Sequence, residues 1–154
     1  FSSHYGEFIG AGILPYCFDS SGSILLFLGK ELGKCPTLAG RNKYVWSDIG
    51  GKREGIQETA EETACREFSE ETLGLWGGMG DLVTRVRTSA TNIKAKVQSA
   101  LLGTHCDEGK CYVLKNGLYV SFVVPVQFLD PLLFQLARDD NDLQMSSCPP
   151  DADD

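Results

Sequence analysis

Residues Gly50–Leu75 read GGKREGIQETAEETACREFSEETLGL, a glycine-bounded run dense in glutamate. A Gly-Gly pair ends a strand, a loop follows, and a helix opens near Gln57 or Glu58. That helix carries glutamates at 58, 61, 62, 67, 70 and 71, and one arginine, Arg66. With about 100° of turn per residue, Glu67, Glu70 and Glu71 share an arc of about 100°. Ala60, Ala64 and Phe68 form the neighbouring apolar edge, with Cys65 beside them. Carboxylates at i, i+3 and i+4 repel one another weakly, and a multivalent cation reverses the sign of that energy. Hard oxygen donors in a tight group suit Mg²⁺ or Mn²⁺. A solvated acidic face is the plainer reading, since negative charge stabilises the first turn of a helix. Glu67, Glu70 and Glu71 lie in the second half of the helix, where the macrodipole disfavours them.

The same residues resemble the Nudix box, Gly-x5-Glu-x7-Arg-Glu-U-x-Glu-Glu-x-Gly-U, with U a bulky apolar residue. Glu58, seven further residues and then Arg66-Glu67-Phe68-Ser69-Glu70-Glu71 match its helical part without a gap. Six residues rather than five separate Gly51 from Glu58, and two rather than one separate Glu71 from Gly74. Both extra residues fall in flanking loops, where insertions are tolerated best. The resemblance implies an α/β/α sandwich with a mixed sheet. It implies divalent cations held by Glu67, Glu70, Glu71 and the Gly50 carbonyl, with Glu67 or a neighbouring acid deprotonating the attacking water. It also implies that Arg66 orients a carboxylate and pairs with Glu58, and that a fourth acid outside the box contributes: Asp107, Glu108 or Asp130. An ordinary i, i+4 bridge from Glu62 to Arg66 is the simpler account of that arginine. Gly74 reads as a left-handed helix cap in either case.

The chain of 154 residues is long enough for one real core. Its net charge of −7 argues against broad nonspecific binding to nucleic acid. Six cysteines, at 17, 35, 65, 106, 111 and 148, include no Cys-x-x-Cys pair. His105, Cys106 and Cys111 make an incomplete zinc set with poor spacing. Cys17 and Cys65 read as small core residues, which favours a reduced, intracellular setting, cytosol or organelle lumen. No apolar run approaches the roughly 20 residues that span a bilayer. The first residue is Phe1 rather than methionine, which leaves room for an upstream targeting peptide.

Elsewhere, Phe8–Phe18 and Ser23–Lys30 read as a hairpin around Asp19–Gly22, buried on at least one face. Residues 31–44 form a loop that brings Lys34, Arg41 and Lys43 towards Trp46 and the Gly-Gly pair. Arg41 and Lys43 either meet substrate phosphates or stand solvated, and Trp46 either stacks on a nucleobase or packs at the core rim. Val45–Gly50 is a short strand. Asp81–Leu102 has a clear helical period through Leu82, Val86, Ile93 and Val97. Arg85 and Lys96 flank one side of its apolar stripe, and Arg87 and Lys94 the other, which fits long side chains reaching outward. Cys111–Leu114 and Gly117–Val126 form a second hairpin, with Asn116-Gly117 favouring a type I′ turn. Leu129–Arg138 closes the domain as a short helix, and residues 139–154, rich in aspartate, are expected to be disordered.

The expectation is therefore an α+β domain over residues 1–138, with a mixed sheet, helices on both faces and an acidic tail over 139–154. Its expected activity is divalent-metal-dependent hydrolysis of a pyrophosphate bond in a nucleoside diphosphate derivative. The alternatives are a binding module for a nucleotide or an RNA 5′ end with little turnover, and hydrolysis at an RNA 5′ end.

Overall fold

The computed structural model describes residues 6–33 and 43–146, with backbone only for 31–33, 43 and 141–146. Its strands are β1 (Gly10–Phe18), β2 (Ile24–Leu26), β3 (Gly29–Gly33), β4 (Lys43–Ser47), β5 (Ile49–Lys52), β6 (His105–Cys106), β7 (Gly109–Lys110), β8 (Tyr112–Asn116) and β9 (Tyr119–Pro125). Its α-helices are α1 (Ala60–Glu71), α2 (Leu82–Leu102) and α3 (Pro131–Ser146). The chain is α+β with a mixed sheet. β1 lies at its centre, parallel to β9 from Gly10 to Tyr16 on one edge. The other edge is shared, first by β5 against Gly10–Ile13 and then by β2 against Tyr16–Phe18, both antiparallel. β8 extends the sheet beyond β9, while β3–β4 and β6–β7 form separate ribbons.

Alternation along the strands puts Ala11, Ile13, Ile49, Val120, Phe122 and Val124 on one face. All six are buried there against Ala60, Ala64 and Phe68 of α1 and Ile93 and Val97 of α2. α1 and α2 thus both contribute to the core on this one face, whereas the sequence suggests helices on both. α1 and α2 cross where both present serine, and the Ser69 hydroxyl donates to Ser89 Oγ at 3.3 Å. On the other face, Gly10, Gly12 and Gly50 make room for Tyr119, whose hydroxyl donates to Asp48 at 3.2 Å.

Two expected strands are each broken in two. Ser23–Lys30 divides at Phe27, whose ring leaves the sheet to stack on Phe134 at 4.6 Å and meet Trp76 edge-on at 5.5 Å. The resulting β2 is an exposed edge rather than a buried strand, with Ile24 61% exposed. Val45–Gly50 divides at Asp48, whose carboxylate accepts from Tyr119 and Ser121 of β9, so that β4 pairs with β3 and β5 with β1. α2 matches the expected span, capped by Asp81 at its start and by left-handed Gly103 at its end. Its apolar stripe is not buried throughout, since Val83 at the first turn is 66% exposed. The last helix, expected to stop at Arg138, runs on to Ser146. No Gly or Pro interrupts it, and Gln135 Nε2 donates to Asp139 Oδ1 at 2.8 Å, one turn on. Among the described residues no helix is long and apolar enough to cross a membrane.

Phe68 is fully buried, and its ring lies 5.2 Å from that of Trp76, which in turn donates Nε1–H to the Gln127 carbonyl. Phe68→Ala should cost about 3–5 kcal/mol of stability, read as a lower urea midpoint at unchanged slope. A loss under about 1 kcal/mol would show that this contact does not organise the core.

Candidate functional site

The acidic helix begins at Ala60, two or three residues later than its charge pattern suggests. Thr59 is its N-cap: Thr59 Oγ1 accepts from the Glu62 amide at 3.2 Å, and Glu62 Oε2 accepts from the Thr59 amide at 2.9 Å. This reciprocal pair satisfies two of the free amides at a helix start. It commits Glu62 to the cap and leaves Glu58 in the loop rather than on the helix. Arg66 therefore pairs with Glu58, not with Glu62 one turn before it. Its Nε donates to Glu58 Oε1 at 2.8 Å, and Nη2 to Glu58 Oε2 at 3.3 Å. Nη2 also donates to the Lys52 carbonyl at the end of β5, at 3.1 Å. Nη1 donates to Glu67 Oε1 at 2.8 Å and lies 3.6 Å from Glu70 and 3.7 Å from Glu54.

Glu67 rests against Gly51. A Cβ built on Gly51 would lie 2.5 Å from both carboxylate oxygens of Glu67, so a side chain there would push the carboxylate aside. Gly50 looks the other way, where a Cβ would collide with Gly12 and the Tyr119 hydroxyl. The two glycines thus present opposite faces of β5, and the extra loop residue leaves Gly51 beneath the helix. Gly74 is left-handed, as expected, with φ 63°, and a side chain there would strike the α2 backbone at Arg85 and Val86. Its role is packing.

Glu67 is the middle of the acidic edge, and its neighbours diverge. Glu70 is 55% exposed and lines a groove between α1 and α2 together with Arg87 and Lys94. Glu71 lines a cavity of about 430 Å³ on the other side, with Phe27, Lys30, Phe134 and Arg138. Among the described residues no three His, Cys, Asp or Glu side chains gather as a group that could hold a metal ion. That statement covers the zinc candidates His105, Cys106 and Cys111 as well. It also covers the three acids considered for a fourth ligand. Glu108 forms an ion pair with Lys96, and Asp130 Oδ1 accepts from the Leu132 amide at the start of α3. Asp107, next to Glu108, lies at the turn between β6 and β7.

Trp46 is 64% exposed and Tyr44 58%, so neither is a core residue. Lys30, opposite Trp46 in the β3–β4 ribbon, holds its ammonium 4.3 Å from the Tyr44 ring centroid and 5.9 Å from that of Trp46. Lys30 also lines the cavity beside Glu71. Lys43 opposes Gly33 in the same ribbon, and Arg41 lies outside the described residues. Sequence reasoning missed Lys30, Phe27, Phe134 and Arg138, which come from distant segments with no spacing to signal them. It also missed Arg53, whose Nε donates to the Glu58 carbonyl at 2.9 Å and whose guanidinium lies over Phe8.

No family model matches this chain, and no solved structure matches it. A stretch of 62 residues is 40% identical to "Uncharacterized protein L534" of Acanthamoeba polyphaga mimivirus. It covers 40% of this chain and 18% of that protein.

Burial works to raise the Glu58 carboxyl, but hydrogen bonds from Arg66 and the Glu54 amide outweigh it and leave the group below its ordinary range. A carboxyl depressed on folding stabilises the protein above its unfolded pKa of about 4.3 and loses that contribution as pH falls through the lower folded value. Glu58→Gln should therefore lower stability at pH 7 by about 1–3 kcal/mol. The gap from the parent should shrink as denaturant melts are taken from pH 6 down towards pH 3. A gap independent of pH would contradict the ion pair.

Proposed function

We propose that this chain is a Nudix-like, divalent-metal-dependent hydrolase that cleaves a pyrophosphate linkage in a nucleoside diphosphate derivative. The observation that carries the reading is the Arg66 network. One guanidinium holds Glu58 from the loop and Glu67 from the helix, and Glu67 lies over Gly51. This is the pairing the box resemblance implies, reached through side-chain contacts rather than spacing.

The donor chemistry on this edge suits a hard cation, being carboxylate oxygen throughout. Glu67, Glu70 and Glu71, with the Gly50 carbonyl, would hold Mg²⁺ or Mn²⁺. Bound there, such an ion supplies charge neutralisation on the diphosphate and acidifies a water molecule. The chain's own residues do the rest. Arg66 fixes Glu67 through Oε1, and Glu67 or a neighbouring acid would take the proton of the attacking water. Lys30 and Arg138, which both line the cavity beside Glu71, would supply positive charge for the phosphates. The exposed rings of Tyr44 and Trp46, beside Lys30, would offer a stacking surface for the base. A binding module for a nucleotide or an RNA 5′ end is the second reading. It is favoured by the divergence of Glu67, Glu70 and Glu71, which are not gathered as a ligand set among the described residues.

Incubation with a panel of nucleoside diphosphate derivatives and with 5′-triphosphorylated or capped RNA, with and without Mg²⁺ or Mn²⁺, separates these readings. The hydrolase reading expects phosphate-bearing products only with metal. Tight binding without product formation would favour the module. Glu70→Gln should leave the melting transition in place, because this side chain is mostly exposed, and lower kcat by about 100-fold. Full metal-dependent turnover in that variant would refute the site assignment.

A further inference from the structure

Cys106 and Cys111 take no part in the proposed site, yet the fold brings their sulfurs together. β6 and β7 form a two-residue ribbon with His105 opposite Lys110 and Cys106 opposite Gly109. Asp107 and Glu108 make its turn, and Cys111 follows directly before β8. The Cys111 thiol points at Cys106 Sγ, 3.7 Å away. Cys106 is partly exposed, whereas Cys111 is 4% exposed and belongs to the core. Lys96 of α2 is fixed beside them, donating to the Pro125 carbonyl at 2.8 Å and pairing with Glu108. Cys106 Sγ lies 3.4 Å from the Gly109 carbonyl and 4.0 Å from Glu108 Oε2. We infer that Cys106 and Cys111 form a redox-active dithiol that reacts with small-molecule disulfides and closes reversibly to an intramolecular disulfide.

The assignment of roles follows from access. Burial, and next the neighbouring Cys106, push the Cys111 thiol up to about 11. Cys106 is therefore the sulfur that meets solvent and attacks first. Its thiolate attacks one sulfur of a small disulfide such as glutathione disulfide, forming a mixed disulfide and releasing one thiolate. Cys111 then gives its proton to solvent and attacks the Cys106 sulfur, releasing the second thiol. The protein loses two hydrogens, and the reagent gains them as two thiols. A disulfide needs its sulfurs about 2 Å apart, so the pair must close by rotation of the two side chains. The loop closed is very short and gains little chain-entropy stabilisation, which suits a site that exchanges rather than one that staples the fold. The other described cysteines are placed differently: Cys65 is buried in the core, its thiol pushed up to about 12 by burial, and Cys17 is on β1.

The test treats the full chain, reduced and then freed of reductant, with glutathione disulfide, followed by alkylation and peptide mass mapping. The expected product is a chain lighter by two hydrogens, with Cys106 and Cys111 joined, reversed by dithiothreitol. Cys111→Ser should stall at a glutathione adduct on Cys106 that persists at least ten times longer than in the parent. Should that variant fail to fold, the map of the parent chain decides alone. A lasting adduct on Cys106 with Cys111 free, a disulfide from either residue to Cys17, Cys35 or Cys148, or no reaction at either sulfur would overturn the inference.

Discussion

A single guanidinium organises the acidic side of this domain. Arg66 reaches the end of β5 through the Lys52 carbonyl, the connecting loop through Glu58 and Glu54, and its own helix through Glu67. Its side chain is only 21% exposed, and charge-assisted bonds in such a setting are shorter and stronger than neutral ones. The planar fork of arginine lets these bonds form at once, which a lysine ammonium could not reproduce. Without it, an exposed acidic edge would repel itself and the loop before α1 would lose its anchor to the sheet. Glu67 would also lose the contact that holds it over Gly51.

The sheet supplies the floor for that arrangement, and it does so by omission. β1 packs against β5 where Gly12 faces Gly50, so closely that a side chain on either would meet the neighbouring backbone or the Tyr119 hydroxyl. On the far side, Asp48 accepts from Tyr119 and from Ser121 at 2.5 Å, fixing the turn between β4 and β5 to β9. β5 is thereby held from both faces, by the Arg66 network above and by the Asp48 network below. The glycine pair that follows can then serve as a rigid support for a carboxylate. Behind it, the tilted stack of Phe68 and Trp76 locks the C-terminal half of α1 to the core.

Much of this was legible in the sequence wherever the signal was local. The period of α2 and the hairpin around Gly117 depend on residues close together along the chain, whereas the pairing of Glu58 with Arg66 was implied only by the resemblance to the box. The failures share another cause. Phe27 reads as one more apolar strand residue, and only the distant rings of Trp76 and Phe134 turn it out of the sheet. Asp48 breaks its strand because of hydroxyls on β9, seventy and more positions later in the chain. Glu108 looks available as a metal ligand until Lys96 claims it. Six glutamates on one segment likewise suggest one role, yet Glu62 is a cap partner, Glu58 and Glu67 flank an arginine, and Glu70 and Glu71 open onto different sides.

The central claim is that the carboxylates around Arg66 serve a divalent cation and not only the guanidinium. Paramagnetic Mn²⁺ tests this directly, because it broadens amide resonances within a short radius of where it binds. The account predicts that substoichiometric Mn²⁺ broadens the amides of Gly51, Glu67, Glu70 and Glu71 first, and that excess Mg²⁺ restores them. Broadening centred elsewhere, or none at these residues with a nucleoside diphosphate present, would contradict it.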